Sequence, residues 1–138
     1  MSASAFAAIA LAAVAWDGVL SRAGSRALRH SLDYRPPFDR YGDAQMVELM
    51  DGLLADLRRQ GPQHLMVEAA ADLDANQRAT AYAVAAEIMR SDGPLQDDER
   101  NILANLAETL ALTPAVTEPV LTVMDVLHAR VLDPPAEA

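Results

Sequence analysis

The residues best suited to chemistry form an acidic group around an Asp-Gly pair. Within eight residues the chain places four carboxylates, Asp92, Asp97, Asp98 and Glu99. A hard divalent cation such as Ca²⁺ needs several carboxylate oxygens converging on one point. These four residues are therefore candidate metal ligands. Asp17, in a second Asp-Gly pair, is a fifth if the two turns lie side by side.

The same acids have a purely structural alternative. Carboxylates in the first turn of a helix stabilise it by about 0.3–1 kcal/mol each through the helix dipole. Glu99 follows Gln96 by three residues, which is half of a capping box. The spacing also lacks the Asp-x-Asp-x-Asp-Gly pattern of an EF-hand. Metal binding and helix capping both remain open from the sequence.

Several catalytic chemistries are excluded by composition. The chain has no cysteine, and all eleven basic residues are arginine. Thiolate sites, Schiff-base lysines and P-loop lysines are therefore absent. No pair among His30, His64 and His128 has the spacing of a helical zinc site. No Gly-x-Ser-x-Gly motif occurs. We predict no catalytic residue and no organic cofactor, and we expect a protein that is not an enzyme.

A second candidate site is the loop at 33–41, which holds three of the six aromatic residues. Arginine and aromatic side chains together are typical of interface anchors. The candidate partner-binding residues are Arg35, Phe38, Arg40 and Tyr41. The alternative is that the rings of Tyr34, Phe38 and Tyr41 fold back as a lid over a core with few other rings.

Charge is distributed unevenly along the chain. The net charge of −9 argues against nucleic-acid binding, whereas residues 21–40 carry +3. A basic patch beside an acidic body suits a docking protein or a head-to-tail contact between copies, so a homodimer is one option. The alternative is that these arginines pair locally on a solvated helix face.

The periodicity of apolar residues predicts an all-α fold of about seven helices. Twenty-eight alanines favour closely packed helices, and 138 residues suit a single domain over the whole chain. The predicted helices are 4–15, 21–31, 43–60, 62–73, 75–90, 97–110 and 117–132. Predicted N-caps are Ser21, Asp43 and Asp74, and Thr113-Pro114 is predicted as a short turn.

The composition of the two ends of the chain also predicts their structure. Residues 6–16 are almost wholly apolar, but no basic residue precedes them and the run is too short to span a membrane. We therefore expect a buried helix, no direct membrane insertion and a cytoplasmic protein. The ordered core is predicted at about 4–132. The proline-containing stretch 133–138 is predicted to be a frayed tail.

Two stretches of the chain resemble each other at an offset of 75 residues. Residues 11–32 align with 86–107, which places Asp17-Gly18 on Asp92-Gly93 and Leu20 on Leu95. Each copy reads as a helix, a tight Asp-Gly bend, one aliphatic residue that enters the core, and a new helix. The sequence therefore predicts a pseudo-twofold internal repeat.

This repeated pattern resembles the tellurite-resistance TerB family. The second copy, residues 91–99 (SDGPLQDDE), fits closely, while the first, residues 15–24, has Gly24 where the family has Glu. The resemblance spans about 6–132. It implies a compact all-α domain, a link to tellurite, metal or oxidative stress, no defined enzymatic activity and an acidic surface that could hold metal. Related domains occur as modules in larger proteins, including membrane-associated co-chaperones.

The expected function is therefore that of a non-enzymatic, TerB-like protein acting in tellurite resistance or metal stress. Its acidic turn face is expected to engage a divalent cation or a basic partner. The alternative is an interaction module that docks a protein partner through the 33–41 loop.

Overall fold

The computed structural model describes residues 2–131, and in that range the fold is built from seven α-helices with no β-strand. The prediction of an all-α protein is confirmed. A single 3₁₀ turn, Phe38–Arg40, lies between the second and third helices. The helices are α1 (Ser2–Val14), α2 (Arg22–Asp33), α3 (Asp43–Gln60), α4 (Pro62–Ala70), α5 (Ala75–Arg90), α6 (Asp97–Thr109) and α7 (Pro114–Leu127).

Helix α1 is the centre of the fold. It contacts α2, α3, α4, α5 and α6, and nearly all of its residues from Ala5 to Ala13 are buried. Alanine side chains are small enough to let neighbouring helices approach from several sides, while Ile9 and Leu11 fill the gaps between them. The prediction that this apolar run forms a buried helix is confirmed. No helix in the described range is long and apolar enough to cross a membrane.

Helix α5 is the second central element and contacts α1, α2, α6 and α7. It contributes Tyr82, Val84 and Ile88 to the core. Its start is the predicted Asp74 cap: the Gln77 backbone N–H donates to Asp74 Oδ1 at 2.8 Å, and the Asp74 N–H donates to Gln77 Oε1 at 2.9 Å. This reciprocal pair satisfies two amides that a helix start would otherwise leave without partners.

Four predicted helix boundaries are wrong. The N-cap of α3 is Gly42, and Asp43 is the first helical residue, where its carboxylate binds Arg29 instead of capping. Helix α4 ends at Ala70, three residues before the predicted Leu73. Helix α7 begins at Pro114 with Thr113 as its N-cap, so the predicted short turn at Thr113-Pro114 is the start of the helix and Pro119 lies in its interior. The helix ends at Leu127, before the predicted end at 132. The predicted tail at 133–138 lies outside the described residues.

The two Asp-Gly bends lie against the common core. Leu20 and Leu95, the aliphatic residues after the bends, are both half-buried and packed on it. The helices that follow begin at Arg22 and Asp97, again 75 residues apart. These local units agree with the proposed repeat. The superposition of the two halves about a pseudo-twofold axis stays a prediction.

Candidate functional site

Each Asp-Gly turn depends on its glycine. Gly18 has φ 84° and Gly93 has φ 132°, values that lie in the left-handed region which side chains disfavour. Each glycine reverses the chain at the end of a central helix. Asp17 is thereby placed after α1 and Asp92 after α5, at the same end of the helical array.

The two turns line one cleft of about 530 Å³. Its acidic rim is formed by Asp17, Asp92, Asp98 and Glu99. Its walls are mainly apolar and come from Ala13, Val14, Trp16, Ile88, Met89 and Ile102. Asp17 and Asp92 therefore line the same cleft in the described structure. We call this feature the acidic cleft.

Three of the rim carboxylates also hold the local backbone. Asp17 Oδ1 accepts the Val19 N–H at 3.0 Å, and Asp98 Oδ1 accepts the Glu99 N–H at 3.0 Å. Glu99 Oε1 accepts the Gln96 N–H at 2.9 Å, which is the capping contact proposed from the sequence. The capping alternative is thus correct for Glu99.

Asp92 differs from Asp17 because of the residue two positions later. Pro94 has no N–H, so the backbone bond that Asp17 receives from Val19 has no counterpart in the second turn. The Asp92 side chain is exposed and makes no hydrogen bond or ion pair with residues 2–131. It is the rim carboxylate most available to a ligand.

The five predicted metal ligands do not form a coordination site. Asp97 is exposed at the first position of α6 and does not line the cleft. Within residues 2–131, no group of three or more His, Asp or Glu side chains is placed to hold a metal ion. The remaining four acids surround the mouth of an open cleft and do not converge on one point.

The 33–41 loop does not present the predicted partner anchors together. Phe38 is only 3% exposed, so its ring fills the core and cannot anchor a partner in this structure. Tyr41 is half-buried, with its ring 5.6 Å from that of Phe38 in an edge-to-face contact. The lid alternative describes these two rings, but Tyr34 is 80% exposed and takes no part in the lid.

The two arginines of that loop have different environments. Arg35 donates from Nε to the Ser31 carbonyl at 3.1 Å, and its guanidinium lies 5.8 Å from the centre of the Phe6 ring. Arg40 is exposed. The loop is therefore mainly a covering segment, and Arg40 is its one predicted partner residue that is well exposed.

Sequence reasoning missed several residues of the acidic cleft. Trp16, the last residue of the apolar run 6–16, is half-buried and forms part of the cleft wall. Asn101, Ile102 and Asn105 line the cleft from α6. Their spacing from Asp98 by three, four and seven residues is a signal that could have placed them on one helix face.

Fold and site together define an all-α protein with an acid-rimmed, apolar-walled cleft between two Asp-Gly turns. Comparison with protein-family models, with curated proteins and with solved structures gives no match. The TerB resemblance therefore rests on the motif residues alone.

Proposed function

We propose that the protein is a non-catalytic binding protein whose acidic cleft takes an organic cation, such as the arginine or lysine side chain of a partner protein. The observation that carries this proposal is the shared cleft. Two turns 75 residues apart in sequence bring Asp17 and Asp92 to one apolar-walled cleft of about 530 Å³. A ligand with a charged end and an apolar stem matches both of its surfaces.

The walls favour an organic cation over a bare metal ion. A methylene stem can pack against Trp16 and Ile102, while an ammonium or guanidinium group reaches the carboxylate rim. The indole ring adds an attraction for cations. A divalent metal would instead need several oxygens at about 2.3–2.6 Å from one point. The described residues offer no such group.

The lining supports binding over catalysis. No histidine lines the cleft within the described range, and its serine is used structurally, since Ser21 Oγ accepts the Gly24 N–H at 2.9 Å. A nucleophilic serine needs a neighbouring base. The exposed rim carboxylates suit a role as charge partners.

Calorimetric titration with butylguanidinium tests this proposal, with uncharged butylurea as the matched control ligand. We expect saturable binding of the cation only. Asp92→Asn and Asp17→Asn should each weaken it about fivefold, the loss of about 1 kcal/mol of ion pairing. Asp51→Asn removes one charge from an exposed position on α3 and should leave binding unchanged. Equal binding of butylurea, or none of the cation, would contradict the proposal.

A parallel titration with Ca²⁺, Mg²⁺, Mn²⁺ and Zn²⁺ distinguishes the metal hypothesis. One outcome would identify a metal ion as the ligand. The unchanged protein would release or absorb heat with one of these metals but not with butylguanidinium, and the Asp92→Asn variant would lose the heat of metal binding. The role in tellurite or metal stress is a hypothesis supported by the motif at 91–99. It predicts that a deletion strain becomes tellurite-sensitive and that the Asp17→Asn, Asp92→Asn double variant fails to restore resistance.

A further inference from the structure

A second cleft adjoins the start of α2 and is lined by residues of the opposite charge. Its volume is about 580 Å³, and residues of α2 and α3 line it together with the preceding turn. Four arginines and two hydroxyls dominate the lining: Arg22, Arg26, Arg29, Arg58, Ser21 and Ser25. Ser21 lines both clefts. We call this feature the arginine cleft.

Within the part of the chain that the structure describes, three of its four arginines have no polar partner. Arg29 pairs with Asp43 at 2.7 Å and lies 3.6 Å from Asp33. Arg22, Arg26 and Arg58 form no ion pair or hydrogen bond within residues 2–131. Outside the cleft, Arg59 and Arg90 contact aspartates, whereas Arg40 and Arg100 are exposed.

The arrangement along α2 is unfavourable without an anion. Arg22 and Arg26 are four residues apart and Arg29 follows three later, so three like charges share one helix face. Like charges at these helical spacings repel each other. The first turn of α2 contains no acid, so the positive end of the helix dipole adds to the same potential.

We infer that the arginine cleft binds a phosphate-bearing anion, best a diphosphate. The planar guanidinium offers paired donors that match phosphate oxygens, and several of them can hold two adjacent phosphate groups. The apolar part of the lining is limited to Leu20 and Leu54, which leaves no large wall for an aromatic ring. The arginine cleft adjoins the acidic cleft at Ser21 but is lined by a different set of charged residues.

The negative charge of the whole chain does not prevent this binding. Charges separated by more than about 10 Å are largely screened at 0.1 M salt. Asp33 and Asp43, the acids that contact an arginine of the cleft, are both paired with Arg29. An anion in the cleft therefore meets mainly the uncompensated guanidinium groups.

Calorimetry with pyrophosphate tests the inference. We expect saturable binding that weakens about tenfold in Arg26→Gln and in Arg58→Gln, the loss of one charge-assisted contact each. Arg100→Gln makes the same charge change at an exposed position on α6 outside the cleft and should bind as the unchanged protein does. Thermal melting of each variant checks folding. Removal of Arg26 should leave the melting temperature unchanged or raise it.

A second arm distinguishes a free anion from a lipid headgroup. Co-sedimentation uses phosphatidylcholine vesicles with and without phosphatidic acid. Retention that needs both phosphatidic acid and Arg26 supports the site with a lipid as the source of phosphate. Binding of pyrophosphate without retention on the vesicles supports the site with a free anion as the source of phosphate. Absence of both, or an equal loss in Arg100→Gln, would overturn the inference.

Discussion

Asp17 and Asp92 occupy equivalent places in two turns, but their carboxylates have different bonding. Asp17 accepts a backbone N–H from Val19, whereas Pro94 gives Asp92 no such donor. The residue at the second position after the aspartate thus separates a carboxylate that also holds the local backbone from one that does not. This difference makes Asp92 the more informative residue to change.

Phe38 tests whether the 33–41 loop is part of the core. Phe38→Ala removes a buried ring and should lower the free energy of unfolding by about 3–5 kcal/mol. Tyr34→Ala, at an exposed position in the same loop, should change it by less than about 0.5 kcal/mol. Urea unfolding followed by circular dichroism measures both. Similar small effects of the two changes would show that the loop is not a lid.

Tyr82 makes stability depend on alkaline pH. Burial raises the pKa of its phenol above the usual value of 10.0. The unfolded chain therefore loses this proton first, and the free energy of unfolding should fall as the pH rises above about 10. Below that pH the contribution is fully present. The chain has no lysine or cysteine, so few other side chains titrate in this range.

The measurement is urea unfolding at several pH values between neutral and strongly alkaline. In the Tyr82→Phe variant, the free energy of unfolding should fall less steeply above pH 10 than in the unchanged protein. Profiles that overlap throughout would contradict the assignment.

Among the helices, the starts that carry a capping side chain could be predicted from the sequence. Asp74 and Ser21 were identifiable because a polar side chain precedes an apolar-periodic run, and both cap as expected. The start of α7 was missed because two prolines, Pro114 and Pro119, each suit a first turn. Local sequence cannot show which one the tertiary structure tolerates inside the helix.

The cap of α5 can be tested by a matched pair of substitutions. Asp74→Ala removes the acceptor for the Gln77 N–H and should cost about 1 kcal/mol of stability. Asp74→Asn keeps an acceptor of similar capping strength and should retain most of it. Chemical denaturation compares them. An asparagine variant as unstable as the alanine variant would argue against the capping contact.

At the scale of the whole molecule, the acidic cleft is a product of tertiary packing. The aligned Asp-Gly pairs suggested that Asp17 and Asp92 belong together, and both line the cleft. The sequence could not show that Asp97 points away from it or that Trp16 forms a wall, because both depend on how α1, α5 and α6 pack. The burial of Phe38 could not be predicted from the sequence either, because it depends on the path of the loop in the folded chain.

The arginine cleft shows the same dependence on packing. The excess of arginine at 21–40 was visible in the sequence, but Arg58 joins this group from α3 only in the folded chain. Opposite charges on two sides of one helix start give the surface a strong local polarity.

The most direct test of the acidic cleft uses Trp16, the one tryptophan of the chain, which lines its wall. Titration with butylguanidinium should change the Trp16 fluorescence to saturation, and the midpoint should move severalfold higher in Asp92→Asn but not in Asp51→Asn. Butylurea should have no such effect. A Trp16 signal that stays constant while calorimetry shows saturable binding would place the ligand elsewhere and contradict the account.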